Sequence, residues 1–249
     1  MKWYRSLSNA KTRQQEGYFL VEGFRATEQI IKECPESVEE ILISQTGTDI
    51  ESYKDNFPVR ILSQSQLDSI SASQTPQGIV AVVKLPRGSY SAETPQNHGS
   101  AVLLLEHVQD PGNVGTLIRT AAAFNYSGVL LSEQCADPFS TKVVQSSAGA
   151  ILSVWIRRTQ YYLEMVSRFK ADGWLVLAAD IRGQRHLDFS GNRGHILALG
   201  NEGSGLSSEL LSISGQRFRI PFDSNKVESL NVAVSGAIAM FCIKNGIEW

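Results

Sequence analysis

The C-terminal half of the sequence contains a series of short, almost entirely apolar runs, each followed by a polar stretch. Strands covered on both faces have such continuous runs, whereas strands with one face in water alternate apolar and polar residues. The pattern therefore predicts a parallel sheet in an α/β domain. The predicted strands are 101–105, 129–131, 151–156, 174–179, 196–199 and 218–220. In open sheets of this class, functional residues lie at the carboxyl ends of the strands.

A stretch rich in Gly, Pro and Ser between 85 and 100 separates this half from a smaller N-terminal part. Such a composition is typical of a linker between domains. Before it, strand-like runs alternate with helical spacing of apolar residues, which predicts a small α/β domain. The predicted strands there are 18–21, 38–43, 59–62 and 78–83, and the predicted helices are 23–33 and 64–70. We therefore expect domains over 1–86 and 100–249, joined by a linker over 87–99.

Composition excludes some classes of protein but does not identify the binding partner. The 249 residues are 42% hydrophobic and carry a net charge of −2, which argues against a strongly basic nucleic-acid binder. No signal peptide is expected, and the longest apolar segment is shorter than the roughly 20 residues of a membrane span. The three cysteines are scattered and form no C-x-x-C pair, which favours a reducing cytoplasm.

The first 13 residues are locally basic, with no acid among them. Their cations are Lys2, Arg5, Lys11 and Arg13. Such a segment can contact the phosphates of a nucleic acid. The alternative interpretation is a solvated terminal segment, and charge alone does not decide between the two.

The first strand end of interest carries an asparagine and an arginine. The run 101–105 leads into a Pro-Gly turn, and Asn113 then stands where a helix N-cap is expected. Arg119 lies on a helix face shared with small residues, which leaves room for a partner or ligand. The alternative interpretation of Arg119 is a solvated arginine on a helix surface.

The second strand end is a glycine loop. The run 196–199 is followed by glycines at 200, 203 and 205, which allow backbone groups to approach a ligand without side-chain obstruction. The spacing is neither the dinucleotide fingerprint G-x-G-x-x-G nor a P-loop. Glu202 lies within the loop, and its alternative role is that of a turn or capping carboxylate.

The third strand end leads from 218–220 into a predicted helix over 232–244. Ser229 and Asn231 precede this helix, and both are natural loop and capping residues. The helix is lined with small residues at 233, 236 and 237. They predict unusually close packing, either within the same domain or against a second subunit.

The three strand ends carry motifs in a fixed order. They read Asn-x-Gly-x-x-x-Arg at 113–119, Gly-Asn-Glu-Gly-x-Gly-Leu at 200–206 and Ile-Pro…Ser-Leu-Asn-Val at 220–232. In this order they resemble the three motifs of the SpoU/TrmH family of RNA ribose methyltransferases. The resemblance covers essentially all of 101–249, including the segment 137–150. The N-terminal half is similar, less specifically, to the family's L30e-like RNA-binding domain, with its best match at 19–23.

Two positions depart from the family pattern. The family usually has an arginine where Gln145 stands, so the RNA contact of that arginine does not transfer to this chain. The third motif usually has a glycine soon after Pro221, whereas 222–226 contains none and is about a residue longer. The geometry of the cofactor loop is therefore expected to differ.

The resemblance implies a C-terminal α/β domain with a deep trefoil knot, a homodimer through the knot region, and S-adenosylmethionine as cofactor. The implied catalytic residues are Arg119, Asn113, Glu202, Ser229 and Asn231. The implied cofactor-binding residues are Leu199, Gly200, Asn201, Gly203, Ile220, Pro221, Ser229, Leu230 and Asn231. We expect RNA contacts from Lys11, Arg13, Arg25, Arg119 and Lys142.

The implied reaction is attack of a ribose 2′-hydroxyl, most naturally in ribosomal RNA, on the sulfonium methyl group. The family proposal that the arginine is the base conflicts with an arginine pKa above about 12. We therefore expect Arg119 to bind the target phosphate and to polarise the hydroxyl. Glu202 is expected to orient the guanidinium.

Several alternatives stay open at this point. The substrate can be transfer RNA, or the chain can be a catalytically inactive RNA-binding protein of the same fold, although the retained motif residues argue against inactivity. A dinucleotide-dependent oxidoreductase shares the parallel α/β pattern but requires a different glycine spacing. No metal site is expected, because the histidines at 98, 107, 186 and 195 have no ligand-like spacing.

Overall fold

The computed structural model describes residues 1–45, 51–71, 76–185, 188 and 191–247; His186 lies outside them. The helices are α1 (Lys2–Ser6), α2 (Ala10–Glu16), α3 (Phe24–Glu33), α4 (Glu51–Lys54), α5 (Gln64–Asp68), α6 (Pro111–Ala123), α7 (Thr141–Ser147), α8 (Tyr162–Ala171), α9 (Ser208–Ile213) and α10 (Val232–Asn245). The strands are β1 (Tyr18–Glu22), β2 (Val38–Ser44), β3 (Val59–Leu62), β4 (Ile79–Lys84), β5 (Ala101–Leu105), β6 (Gly128–Ser132), β7 (Trp155–Thr159), β8 (Trp174–Gln184), β9 (Gly194–Leu199) and β10 (Gln216–Phe218).

The chain forms two compact units. The first contains Met1–Arg87 and Asp137–Ser153, and the second contains Gly88–Ala136 and Val154–Trp249. This division differs from the expected domains in two places. Residues 137–153, expected in the C-terminal domain, group with the N-terminal residues, and most of the expected linker packs within the second unit.

The first unit is built on a four-stranded sheet in the order β1-β4-β2-β3. Strands β2 and β3 are parallel, and the other neighbours are antiparallel. The predicted strands and the two predicted helices of this region are all present. On one face of the sheet, the core includes Tyr4 and Leu7 near α1, packed against Leu42 and Val82 of the strands.

The segment 137–153 joins the first unit through specific side chains. Helix α7 packs against β1, and the rings of Phe19 and Phe139 lie 5.1 Å apart. Asp137 accepts a hydrogen bond of 2.6 Å from Arg13. Since these partners are distant in sequence, no local pattern marks the segment as part of the first unit.

The second unit is built on a six-stranded sheet in the order β10-β8-β9-β5-β6-β7, and every neighbouring pair is parallel. The predicted parallel α/β sheet is thus confirmed. The central strand β5 is fully buried from Val102 to Leu105, as expected for a strand covered on both faces. Leu105 is in register with Leu199 of β9, so the segments that follow these two strands begin side by side.

Two predicted strands are wrong in their positions: 218–220, because β10 spans Gln216–Phe218, and 151–156. Residues Ala150–Leu152 form a 3-10 turn, and the strand runs from Trp155 to Thr159. Ala148 and Gly149 precede the turn with φ angles of 50° and 88°, a left-handed conformation that interrupts regular structure. The apolar run therefore contains a turn and the beginning of a strand, two elements that hydrophobicity alone does not separate.

Helices α6 and α10 pack closely on each other in the second unit. A Cβ atom at Gly236 would lie 2.3 Å from Leu117 Cδ2 and 2.7 Å from Leu199 Cδ1. The small residues of α10 thus serve packing within the same unit, which was one of the two expected uses. Across the residues described above, no helix is long and apolar enough to cross a membrane.

Candidate functional site

Three polar side chains from the three motifs meet in the second unit. Asn113 Nδ2 donates a hydrogen bond to Glu202 Oε1. Asn231 Nδ2 donates to Asn113 Oδ1 at 3.1 Å and to Glu202 Oε1 at 3.3 Å. Segments that follow β5, β9 and β10 therefore converge, as the resemblance implies. We call these three residues the polar cluster.

Asn113 reaches the cluster from the first turn of α6. The N-cap of this helix is Asp110, whose carboxylate accepts a hydrogen bond of 2.8 Å from Asn113 N, and Pro111 follows directly. The expectation that Asn113 is the N-cap is wrong, because proline prefers the first helical position and moves the cap to the residue before it. The Asn113 side chain is consequently free of any capping role.

Asn231 is the N-cap of α10, as expected. Its Oδ1 accepts hydrogen bonds from Ala233 N at 3.0 Å and Val234 N at 3.2 Å. Because the cap uses Oδ1, Nδ2 is the atom of Asn231 that contacts Asn113 and Glu202 in the polar cluster. The cap therefore fixes the orientation of the amide as well as the start of the helix.

Glu202 is carried by the glycine loop, which folds back on itself. Asn201 and Gly205 exchange backbone hydrogen bonds of 3.2 and 2.9 Å. A Cβ atom at Gly200 would lie 2.3 Å from the carbonyl carbon of Gly205, so a side chain there would clash with the returning backbone. Inside the loop, Asn201 Oδ1 accepts hydrogen bonds from the backbone N–H groups of Gly203 and Ser204.

A cavity of about 680 Å³ lies beside this loop. The predicted cofactor residues that line it are Leu199, Gly200, Asn201, Gly203, Ile220, Pro221, Ser229 and Leu230. Asn231 does not line it, whereas Glu202 and Ser229, predicted as catalytic, do. Its size is in the ordinary range for a cofactor or drug-sized ligand. Gly200, Gly203 and Gly205 are among its lining residues, so part of the wall presents backbone without side chains.

Charged residues of both signs line the cavity, and most of them were not predicted from the sequence. The acids are Asp180, Glu202 and Glu228, and the bases are Arg182, Arg185 and Arg219. Five of these six residues lie outside the signature positions of the three motifs, so no sequence signal joins them. The described wall of the cavity is therefore electrically balanced.

Arg119 stands apart from the polar cluster. Its side chain is exposed on α6, and among the described residues no hydrogen bond or ion pair joins it to another side chain. Glu202 accepts hydrogen bonds from the two asparagines instead. The expectation that Glu202 orients the guanidinium is therefore not met in this conformation of the chain.

The expectation that Arg13 contacts RNA needs correction. Its side chain is 2% exposed. Its guanidinium donates to the carbonyl oxygens of Leu7 and Ser8 at 2.8 Å and to Asp137 Oδ2 at 2.6 Å. A buried arginine with these partners holds the first unit together. Three other predicted RNA contacts, Lys11, Arg25 and Lys142, are exposed in the same unit.

The two departures from the family pattern have local structural roles. Gln145 Nε2 donates a hydrogen bond of 3.2 Å to Glu22 Oε2 in the first unit, so this side chain helps to satisfy a buried carboxylate. In the altered third motif, Asp223 Oδ1 accepts a hydrogen bond of 3.1 Å from Asn225 N. An Asx turn therefore replaces the glycine that the family usually has there.

Glu106 and Tyr162 are buried ionisable groups outside the polar cluster, and His195 is half-buried. Glu106 directly follows β5 and is fully buried; a charged residue at the end of an apolar run was the signal that could have found it. Burial, with Glu106 as hydrogen-bond acceptor, raises the pKa of Tyr162. Burial lowers the pKa of His195 to about 4. Across the described part of the chain, no group of His, Cys, Asp and Glu residues could hold a metal ion.

Comparison with known proteins places the chain among RNA methylases. The profile of the SpoU rRNA methylase family matches residues 100–241, and that of the MRM3-like substrate binding domain matches residues 1–81. The chain is 30% identical over 245 residues to the 23S rRNA (guanosine(2553)-2′-O)-methyltransferase RlmP of Bacillus subtilis. That alignment covers 98% of this chain and 95% of RlmP.

Solved structures agree with this placement. An AdoMet-bound rRNA methyltransferase from Sinorhizobium meliloti is 27% identical with a TM-score of 0.82, covering 98% of this chain and 94% of that one. The SpoU methyltransferase AviRb from Streptomyces viridochromogenes is 22% identical with a TM-score of 0.85, covering 98% and 96%, and shows the common fold. Because the family profile matches more than half of its residues, the chain belongs to the SpoU rRNA methylase family.

Proposed function

We propose that this chain transfers a methyl group from S-adenosylmethionine to the 2′-hydroxyl of a specific ribose in ribosomal RNA. The observation that carries the proposal is the polar cluster, in which side chains from all three motifs meet beside a cavity of cofactor size. The name of RlmP supports ribosomal RNA as the substrate class and the ribose as the target.

The cofactor site in this proposal is the cavity beside the glycine loop. S-adenosylmethionine, when bound, supplies an electrophilic methyl group on a sulfonium centre. Backbone groups at Leu199, Gly200 and Ile220 and the side chain of Leu230 would hold the adenosine, since all four residues line the cavity. Ser229 lies on the same wall and completes the proposed site together with the polar cluster.

Arg119 is proposed as an RNA-positioning residue rather than as a base. Its guanidinium keeps its proton at neutral pH, since the pKa of arginine lies above about 12. A planar, doubly donating cation suits a phosphate oxygen pair. Because Arg119 is exposed and unpaired among the described residues, it is available to bind the phosphate next to the target ribose and to polarise the hydroxyl.

The first unit is proposed to bind the RNA substrate. We retain residues 1–86 as the L30e-like binding domain, 87–99 as the connecting segment and 100–249 as the methyltransferase domain. The profile match over 1–81 to a substrate binding domain supports this assignment. The proposed phosphate contacts are the exposed cations Lys11 and Arg25 of this domain and Lys142 of the segment 137–153 in the same unit.

We also propose a trefoil knot in the second unit and a homodimer that forms around it in the cytoplasm. Residues 219–231 connect the edge strand β10 with α10, which packs against α6 and β9 nearer the centre of the sheet. This crossing supports the knot.

Val234 and Phe241 on the outer face of α10 are 50% and 49% exposed, and this apolar face supports the dimer. Cys34, Cys135 and Cys242 are free thiols, in keeping with the cytoplasm.

The experiment that tests the function uses radiolabelled S-adenosylmethionine and RNA from a strain lacking this gene. We expect label in ribosomal RNA, and mapping of ribose methylation should show a single site that is lost in the deletion strain. Label in transfer RNA with ribosomal RNA unlabelled would overturn the proposed substrate class. Failure of the protein to bind S-adenosylmethionine in calorimetry, with and without RNA, would favour the inactive RNA-binding alternative.

A matched pair of variants tests the role of Arg119. Arg119→Lys keeps the charge but loses the bidentate geometry, and we expect it to lose at least about tenfold in turnover. Arg119→Ala should lose more, while both variants keep their affinity for S-adenosylmethionine. Full activity of the lysine variant would show that guanidinium geometry is not required.

A further inference from the structure

Glu106 is a buried carboxylate that the polar cluster does not use. It directly follows β5 and is 0% exposed. Its Oε2 accepts a hydrogen bond of 2.6 Å from Ser207 N. Its Oε1 accepts hydrogen bonds from Ser207 Oγ at 2.7 Å and from Tyr162 OH. A buried carboxylate is costly unless such donors satisfy it, and the loss of any one of them is therefore unfavourable.

Two of the three donors belong to the end of the glycine loop. Ser207 is the last residue before α9 and is the N-cap of that helix, where its Oγ also accepts a hydrogen bond of 3.2 Å from Leu210 N. The Glu106 carboxylate therefore fixes both the backbone and the side chain of the residue at which the loop ends.

The next residue along the chain holds the beginning of the same loop. The carbonyl oxygen of His107 accepts a hydrogen bond of 3.0 Å from Asn201 Nδ2. His107 has a φ angle of 59°, an uncommon conformation for a residue other than glycine. Its own N–H donates to Ser132 Oγ at 2.9 Å. Glu106 and His107 thus anchor the two ends of residues 201–207.

A loop with this composition needs such anchors. Its glycines provide no side chains for packing, and Gly203 and Gly205 are exposed. The same loop carries Glu202 of the polar cluster and lines the cavity with its backbone. A change in the path of the loop therefore alters the cofactor wall and the polar cluster together.

We propose that Glu106 is a positioning residue that holds the glycine loop in its cofactor-binding conformation. This inference rests on the proposed cofactor site. When the hydrogen bond to Ser207 N is lost, the loop populates conformations that do not bind S-adenosylmethionine. The apparent dissociation constant then rises by the inverse of the competent fraction. Because bound cofactor restores the loop, turnover at saturation is unaffected.

The test compares two nearly isosteric variants. Glu106→Gln replaces one acceptor oxygen with a donor, so at least one N–H or O–H group loses its partner. We expect its dissociation constant and KM for S-adenosylmethionine to rise about tenfold, the scale of a buried donor left without an acceptor, while kcat stays within about twofold. The matched control is Tyr162→Phe, which removes the third donor but leaves both bonds to Ser207.

The control should keep its affinity for S-adenosylmethionine within about twofold, even where its melting temperature falls. Equal loss of affinity in the two variants would assign Glu106 to general packing of the core and overturn the proposal. Unchanged affinity in Glu106→Gln would overturn it as well. If Glu106→Gln does not fold, Ser207→Ala takes its place; it keeps the charge and removes one loop donor, and a several-fold loss of affinity is expected.

Binding of S-adenosylmethionine to the wild-type protein distinguishes a failure of this inference from a failure of the proposed cofactor site. Wild-type protein that does not bind S-adenosylmethionine in calorimetry overturns the cofactor site itself. Binding by the wild type together with unchanged binding by Glu106→Gln leaves the cofactor site intact and removes only the role of Glu106.

Discussion

Asn231 serves two functions with the two ends of one amide. Its oxygen caps α10, and its nitrogen donates to Asn113 and Glu202. Aspartate is an equally good cap, yet it has no donor for the cluster and would place a second carboxylate beside Glu202. Helix capping alone therefore does not require asparagine here, whereas the hydrogen bonds of the polar cluster do.

Because the oxygen and the nitrogen have separate roles, Asn231→Asp tests the polar cluster without removing the helix cap. We expect the melting temperature to stay within a few degrees of the wild type, because the cap is kept. Methyl transfer should fall at least about 10²-fold, because the two carboxylates repel and the cluster loses its alignment. Thermal unfolding and a single-turnover assay check the two parts. Turnover near that of the wild type would show that the cluster is not part of the catalytic machinery.

His195 gives the second unit a pH-dependent stability. Burial lowers its pKa to about 4, whereas in the unfolded chain the pKa is about 6.5. Below pH 6.5 the unfolded state therefore binds more protons at this position than the folded state does. The free energy of unfolding falls as the pH decreases from about 6.5 to about 4, by at most about 1.4 kcal/mol per pH unit.

His195→Gln isolates this contribution, because glutamine does not titrate. Urea unfolding at pH 7.0 and pH 5.0 should show a larger loss of stability in the wild type than in the variant. Carboxylates titrate in both proteins and cancel in the comparison. Equal losses in the two proteins would contradict the lowered pKa of His195.

At the scale of residues, the motifs predicted the meeting of three side chains but not the separation of Arg119 from them. Asn113, Glu202 and Asn231 lie far apart in sequence, and parallel strands bring their carboxyl ends to one edge of the sheet. The role of Arg13 was not predictable, because its burial depends on Asp137, 124 residues away. A basic residue in a terminal segment looks the same in sequence whether it binds RNA or an internal carboxylate.

At the scale of elements, apolar runs located most of the strands, whereas capping hydrogen bonds determined where helices begin. The run 101–105 matches β5 in full, while the run 151–156 combines a turn with the start of β7. The N-cap of α6 is Asp110 and not the predicted Asn113, because Pro111 occupies the first helical position. Apolar runs indicate which residues are buried, whereas the ends of elements depend on hydrogen bonds that hydrophobicity does not report.

The cap of α6 has a measurable effect on both stability and activity. Asp110→Ala leaves Asn113 N without its acceptor and should lower the free energy of unfolding by about 1 kcal/mol. Because Asn113 lies in the same turn, turnover should fall several-fold as well. Asp110→Ser keeps a capping oxygen and is the matched control. Chemical denaturation and the methyl-transfer assay check both effects, and equal behaviour of the two variants would show that the cap is unimportant.

At the scale of the whole molecule, the chain passes between its two units more often than the composition break suggests. The linker-like stretch marks one crossing near Gly88, but 137–153 leaves the second unit and returns to it. This excursion lies between the first and second motifs. A substitution within 137–153 therefore changes the packing of the first unit. The same segment nevertheless lies inside the range 100–241 that the family profile matches.

The proposed homodimer gives the last prediction. Val234 and Phe241 lie seven residues apart on α10 and share one exposed face, which Phe124 of the second unit extends through a ring contact of 6.2 Å with Phe241. If this face is covered by a second copy, a carboxylate placed there is buried without a partner. We expect Phe241→Glu to weaken dimerisation at least about 10²-fold, measured by sedimentation at micromolar concentration.

A control for this substitution is available on the first unit. Ile61 is 44% exposed on β3, so Ile61→Glu changes surface charge and hydrophobicity in the same way without touching α10. The control should sediment as a dimer, and Phe241→Glu should sediment as a folded monomer with an unchanged circular dichroism spectrum. A monomeric wild type, or a dimeric Phe241→Glu, would show that this face of α10 does not join two subunits. Loss of methyl transfer in the folded monomer would further indicate that the site needs both copies.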